Sequence, residues 1–123
     1  MQLENNYYRI VGKRITDGQA LFRIAFLPDC DVYRGHFPGN AVCPGACHIE
    51  MLNECVETLV GKPLFIRTIK QCRFTAIASP LVCPQADLTV VCIPVSDGVA
   101  VEARLTDGEK VYMDYRGKMA FDV

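Results

Sequence analysis

The sequence has almost no net charge, no long apolar run, and neither a CxxC nor a second pair of metal ligands at finger-like spacing, and each absence removes a class of function. With 13 basic and 14 acidic residues the formal charge is -1, so no whole-molecule field draws the chain to nucleic acid or an anionic membrane. No uninterrupted apolar stretch approaches the roughly 18 residues of a membrane span. The opening residues, Met1 to Tyr8, carry Glu4 and polar side chains instead of a basic segment followed by an apolar one. No signal peptide and no membrane insertion are therefore expected, and a cytoplasmic location follows. Seven cysteines are present; an odd number without an export signal reads as reduced thiols, most of them small core residues. Cys43, Cys47, His48 and Cys55 cluster, yet with no CxxC and no second ligand pair at finger-like spacing they predict no metal site. Internal repeats, low-complexity tracts and linkers are missing too, so residues 1–123 are expected to form a single domain.

What is present is a globular composition, 50% apolar and 22% charged, with clear periodicity. Two β-rich segments, Tyr7 to Lys13 and Gln19 to Leu27, flank a turn at Asp17-Gly18 and read as a hairpin. In the second, Phe22, Ile24 and Phe26 alternate with Leu21, Arg23 and Ala25. From Pro28 to Pro44 the pattern stops, and three prolines with two glycines predict an ordered but irregular loop, a length that in compact domains is usually functional. Ile49, Leu52, Cys55, Val56 and Leu59 then fall within one stripe of a helix that Gly61 and Pro63 end. Four strands follow, Leu64 to Ala78, Ala86 to Val95, Val99 to Thr106 and Lys110 to Phe121, with Asp97-Gly98 and Asp107-Gly108 as tight turns. One amphipathic helix against an antiparallel sheet of about six strands accounts for every element, which is an α+β architecture.

The stretch richest in chemistry is Gly35-His36-Phe37-Pro38-Gly39-Asn40-Ala41-Val42-Cys43-Pro44-Gly45, followed by a helix containing Glu50. It resembles the 3-hydroxyacyl-acyl-carrier-protein dehydratases of type II fatty acid synthesis, in which a His-Phe-Pro loop is followed by Pro-Gly and then by an acid in a helix. Here the Pro-Gly pair begins eight residues after His36 and the acid lies fourteen after it. The residues Ile69 to Leu88 resemble the family's strand, proline-containing turn and next strand. Ala41, the run Ala46-Cys47-His48, and Glu54 depart from its common pattern, and Glu50 is nearer its glutamate branch than its aspartate branch. The resemblance implies a hotdog fold, a homodimer whose sites are shared between two chains, and a substrate carried on the phosphopantetheine of acyl carrier protein, with no other cofactor.

Removing water from such a thioester needs a base at the α-carbon, an acid at the β-hydroxyl and a donor to the thioester oxygen. His36 is the candidate base, since neutral imidazole accepts a proton near physiological pH. Glu50 is the candidate acid, which requires a raised pKa from burial or a neighbouring like charge. Gly45 offers a helix-start amide without an internal partner, next to which substrate could approach closely. Tyr33, Phe37, Pro38 and Val42 are candidates to line the acyl channel. Arg67 and Arg73, evenly spaced on one strand, could meet an acidic carrier, while His48 reads as structural and Glu57 as solvated. A hotdog thioesterase or coenzyme-A-dependent hydratase would share the fold, as would a catalytically silent acyl-binding subunit.

Overall fold

The computed structural model describes residues 3–35 and 43–122. Strands β1 (Tyr8–Thr16) and β2 (Gln19–Phe26) are followed by a single helical turn, α1 (Val32–Gly35), and the long helix α2 (Gly45–Val60). Then come β3 (Leu64–Arg73), β4 (Gln85–Val95), β5 (Gly98–Asp107) and β6 (Lys110–Phe121). All pairings are antiparallel, in the order β1-β2-β4-β5-β6-β3. The chain thus crosses to the far edge to lay down β3 before filling the middle, and β1 and β3 are left as edges. One helix packed on a six-stranded antiparallel sheet is the hotdog architecture anticipated above.

Alternation decides which face is core. Phe22 and Ile24 of β2, Leu88 and Val90 of β4, and Val101 and Leu105 of β5 are all buried. Their neighbours form cross-strand ion pairs on the outer face: Arg23 with Asp87 at 3.1 Å, Arg116 with Glu102 at 3.3 Å, and Arg104 with Asp114 at 3.8 Å. Each residue stands directly opposite its partner in the ladder, so these pairs favour register, at well under about 1 kcal/mol each when exposed.

Helix α2 starts at Pro44, whose φ of -67° and ψ of 140° are extended, and ends at Gly61, whose φ of +79° is left-handed. Proline and glycine therefore stand where each fits the backbone best. The buried side comprises His48, Met51, Leu52, Asn53, Cys55 and Val56. The stripe is thus rotated from the sequence expectation: Ile49 and Leu59 are only partly buried, because His48 and Met51 turn into the core.

Three expectations need correction. The Pro28 to Pro44 region contains α1, a regular turn the proline count concealed. β3 ends at Arg73 and not at Ala78, since the chain leaves β6 there to meet the start of α2: the Cys43 amide donates to the Ala78 carbonyl at 2.8 Å. Gly98 opens β5 and is not a turn residue; glycine is needed because a Cβ would lie 2.0 Å from the Met119 carbonyl oxygen. All seven cysteines are free thiols.

Candidate active site

The start of α2 is a helix end without a side-chain cap. The Cys47 and His48 amides both reach the Pro44 carbonyl, at 3.1 and 3.2 Å, and Pro44 offers no side-chain hydrogen bond to the first turn. The amides of Gly45 and Ala46 come before any carbonyl of their own helix that they could use. The ring of Phe74, just beyond β3, lies over this point. A Cβ on Gly45 would sit 2.7 Å from the ring, so glycine here lets an aromatic ring close on the helix start.

Behind that start the packing is aromatic. The His48 ring lies among Phe26, Tyr7 and Phe74, with centroids 5.6, 6.2 and 6.3 Å away. The Tyr7 hydroxyl and His48 Nδ1 are 3.3 Å apart. Burial lowers the His48 pKa to about 4, so the imidazole is neutral at physiological pH. Tyr33 belongs to the same core: it is 7% exposed, with its hydroxyl 3.3 Å from Cys43 Sγ. Burial raises the Tyr7, Tyr33 and Cys43 pKa values, which keeps all three protonated.

The opposite side of α2 carries Glu50, Glu54 and Glu57, which line an open cleft of about 580 Å³ with Glu4, Asn53 and Lys62. Glu50 is partly buried. Burial raises its carboxyl pKa; the charges of Glu54 and Glu57 add to the rise, and the chain's amino group opposes it. Glu57 is not simply solvated, because its carboxylate accepts the Leu64 amide at 2.8 Å. Asn53, 5% exposed, donates to the Leu64 carbonyl, and its Oδ1 has no hydrogen-bond partner among the described residues.

Glu50 and Gly45 stand on one helix, but the cleft that Glu50 lines runs toward Leu64 and does not include Gly45, which lies at the uncapped start against the Phe74 ring. His36, Phe37, Pro38 and Val42 lie outside the described residues. Tyr33 is in the core. The register of β3 against β6 shifts at Arg67, between Ile66 and Thr68, and again between Ile69 and Gln71, so even spacing alone does not fix how Arg67 and Arg73 face. Arg67 pairs with Asp97 of the β4–β5 turn, and Arg73 stands opposite Asp114. A groove of about 530 Å³ on the outer face includes Arg14, Arg104 and Arg116, but it lies across the sheet from Glu50, and the last two arginines are already paired. No three His, Cys, Asp or Glu side chains among the described residues are grouped to hold a metal ion. No helix among them is long and apolar enough to cross a membrane. Sequence reasoning missed the ring of Phe74 over Gly45 and the bonding of Glu54 described below.

Known proteins share the family and the fold. The 3-hydroxyacyl-(acyl-carrier-protein) dehydratase FabZ of Levilactobacillus brevis is 33% identical over 57 residues, 41% of this chain and 38% of that protein. The FabZ of Lactiplantibacillus plantarum is 31% identical over 78 residues, 58% of this chain and 46% of that protein. The chain therefore spans less than half the length of these curated relatives. Among solved structures, a chain of the dehydratase heterocomplex ApeI:P from Xenorhabdus doucetiae superimposes with a TM-score of 0.72 at 17% identity, covering 90% of this chain and 96% of that one. A conserved protein from Pseudomonas aeruginosa gives 0.65 at 13% identity, over 98% and 92%. At such identities the superpositions speak for the fold alone. The family model described as ApeI dehydratase, ApeI-like, matches residues 12–111, well over half of the sequence, and the chain belongs to the ApeI-like dehydratase family.

Proposed function

We propose that the protein converts 3-hydroxyacyl thioesters carried on acyl carrier protein to trans-2-enoyl thioesters, in fatty acid or related acyl-chain biosynthesis. The observation that carries this reading is Glu50, a partly buried carboxyl group in a chain of this family, its pKa raised by burial and by like charges, on the helix whose free amides begin at Gly45. A carboxyl group whose pKa is pushed up is a better proton donor to the leaving hydroxyl than an ordinary one. His36 takes the α-proton, the C–H electron pair becomes the second bond of the alkene, and the C–O bond breaks. Glu50 protonates the departing oxygen, which leaves as water. The Gly45 amide holds the thioester oxygen as charge develops there, and one such donor contributes on the order of 3 kcal/mol to the transition state.

No cofactor enters this chemistry beyond the phosphopantetheine that carries the substrate. Phe37, Pro38 and Val42 line the acyl channel, and the carrier's acidic surface meets Arg73, with Arg67 secondary because Asp97 already engages it. The working unit is a homodimer of single-domain, cytoplasmic chains. Its support is the β3 edge, where Phe65 and Ile69 are 47% and 44% exposed; an apolar open edge is covered most simply by its own symmetry mate. A second reading keeps the edge and changes its occupant. The similar structure from Xenorhabdus doucetiae is a heterocomplex, and a related subunit in place of the second copy would complete the site in the same way.

Following enoyl absorbance with a purified 3-hydroxyacyl carrier thioester tests the reading. Enoyl product is expected, and both His36→Ala and Glu50→Gln should lower turnover at least ~10²-fold. Free thiol without enoyl product would mean hydrolysis and overturn it.

A further inference from the structure

Three carboxylates share one side of α2, because residues three or four apart on a helix are neighbours. Their bonding is unequal. Glu54 accepts three hydrogen bonds from the N-terminal turn: from the Leu3 amide at 2.7 Å, the Glu4 amide at 2.9 Å and the Tyr8 hydroxyl at 3.0 Å. Glu57 accepts the Leu64 amide. Among the described residues no donor reaches Glu50. Donors of this kind favour the ionised carboxylate. Tyr8 is fully buried, and burial raises its pKa far above the physiological range, so it stays a neutral donor and cannot take the charge over. Of these three neighbouring carboxyl groups, two are held by backbone amides, and Glu50 is the one without a donor among the described residues.

We propose that Glu54 is a positioning residue: fastened by the turn at residues 3–8, its carboxylate stands one helical turn from Glu50 and sets the charge environment of that acid. The inference rests on Glu50 being the acid of the proposed reaction. It makes the N-terminal segment part of the site, acting through Glu54. The other charges facing Glu50 are few. Glu57 lies on the same helix, Glu4 comes from the N-terminal turn and Lys62 from the turn after α2, while the chain's amino group acts against the carboxylates. Glu54 is the largest charge effect on Glu50 after burial, and the only one of these carboxylates fixed by three donors.

The test is a carbon-detected NMR titration of the Glu50 carboxyl in the intact protein, beside the pH profile of turnover. In Glu54→Gln, which keeps shape and removes charge, the Glu50 midpoint should shift down, and the alkaline limb of kcat/KM should shift down with it. Activity lost at neutral pH is then recovered on acidification, which a merely structural lesion would not allow. Tyr8→Phe removes a donor and leaves the charge, so the midpoint should stay close to wild type. An unchanged Glu50 midpoint in Glu54→Gln overturns the proposal, as does a shift in Tyr8→Phe equal to that in Glu54→Gln. If the dehydratase reading itself is wrong, wild-type protein shows no turnover at any pH while the NMR shift persists, so the two failures are distinguishable.

Discussion

The two sides of helix α2 each hold a titratable group pushed toward its neutral form, and only one of them lines an open cleft. On the sheet side, burial lowers His48 to about 4 and closes it among aromatic rings. On the cleft side, burial and neighbouring carboxylates raise Glu50, which still lines a space open to solvent. A perturbed pKa is therefore not a mark of function by itself. Access separates the two residues, and it is Glu50 that is placed to serve as the acid of the proposed reaction.

The contrast can be broken from either side. The largest effect expected is on the sheet side, where Met51→Ala should cost about 2–5 kcal/mol in denaturant unfolding, since Met51 is fully buried and its loss leaves a cavity. A cost below about 1 kcal/mol would mean that α2 is loosely seated. Next comes His48. Its pKa is lower in the folded protein than in the unfolded chain, so the unfolded state gains the proton first, and stability falls as pH drops from about 6.5 toward about 4. The loss is about 3 kcal/mol in wild type. In His48→Gln that part of the slope should vanish, and an identical slope would remove His48 from the account.

On the cleft side, Glu50→Gln should lower turnover at least ~10²-fold, about 2.7 kcal/mol of barrier. Because the folded state raises its pKa, ionising Glu50 at neutral pH works against folding. The same variant should therefore unfold at an equal or higher denaturant concentration, and marked destabilisation would make Glu50 a structural residue. Smaller still, Gly45→Ala pushes the far end of the half-exposed Phe74 ring aside, at a cost of about 1 kcal/mol or less. Adding Phe74→Leu should restore most of it, as a double-mutant cycle would show.

The hotdog architecture was legible because its signals are local. The alternation of Phe22, Ile24 and Phe26 and the Gly61-Pro63 stop specify elements whose burial follows from period alone. The departures come from long-range partners. β3 stops at Arg73 because Ala78 is needed by Cys43, thirty-five residues earlier, and Gly98 is glycine for the sake of Met119 across the sheet. At the site, Glu50 and Gly45 were named from spacing within a resembling motif. Glu54 gave no such signal, since its donors are backbone amides about fifty residues away, and an amide has no letter in a sequence. A solvated side chain and an anchored one are written with the same Glu.

The most direct measurement runs the reaction backwards. Protein is incubated with a trans-2-enoyl carrier thioester in water labelled with the heavy isotope of oxygen, and the product is examined by mass spectrometry. The label should appear at the 3-hydroxyl, at least ~10²-fold more slowly in Glu50→Gln. Label found in a freed carboxylate, or entering the 3-hydroxyl equally fast without Glu50, would contradict the account.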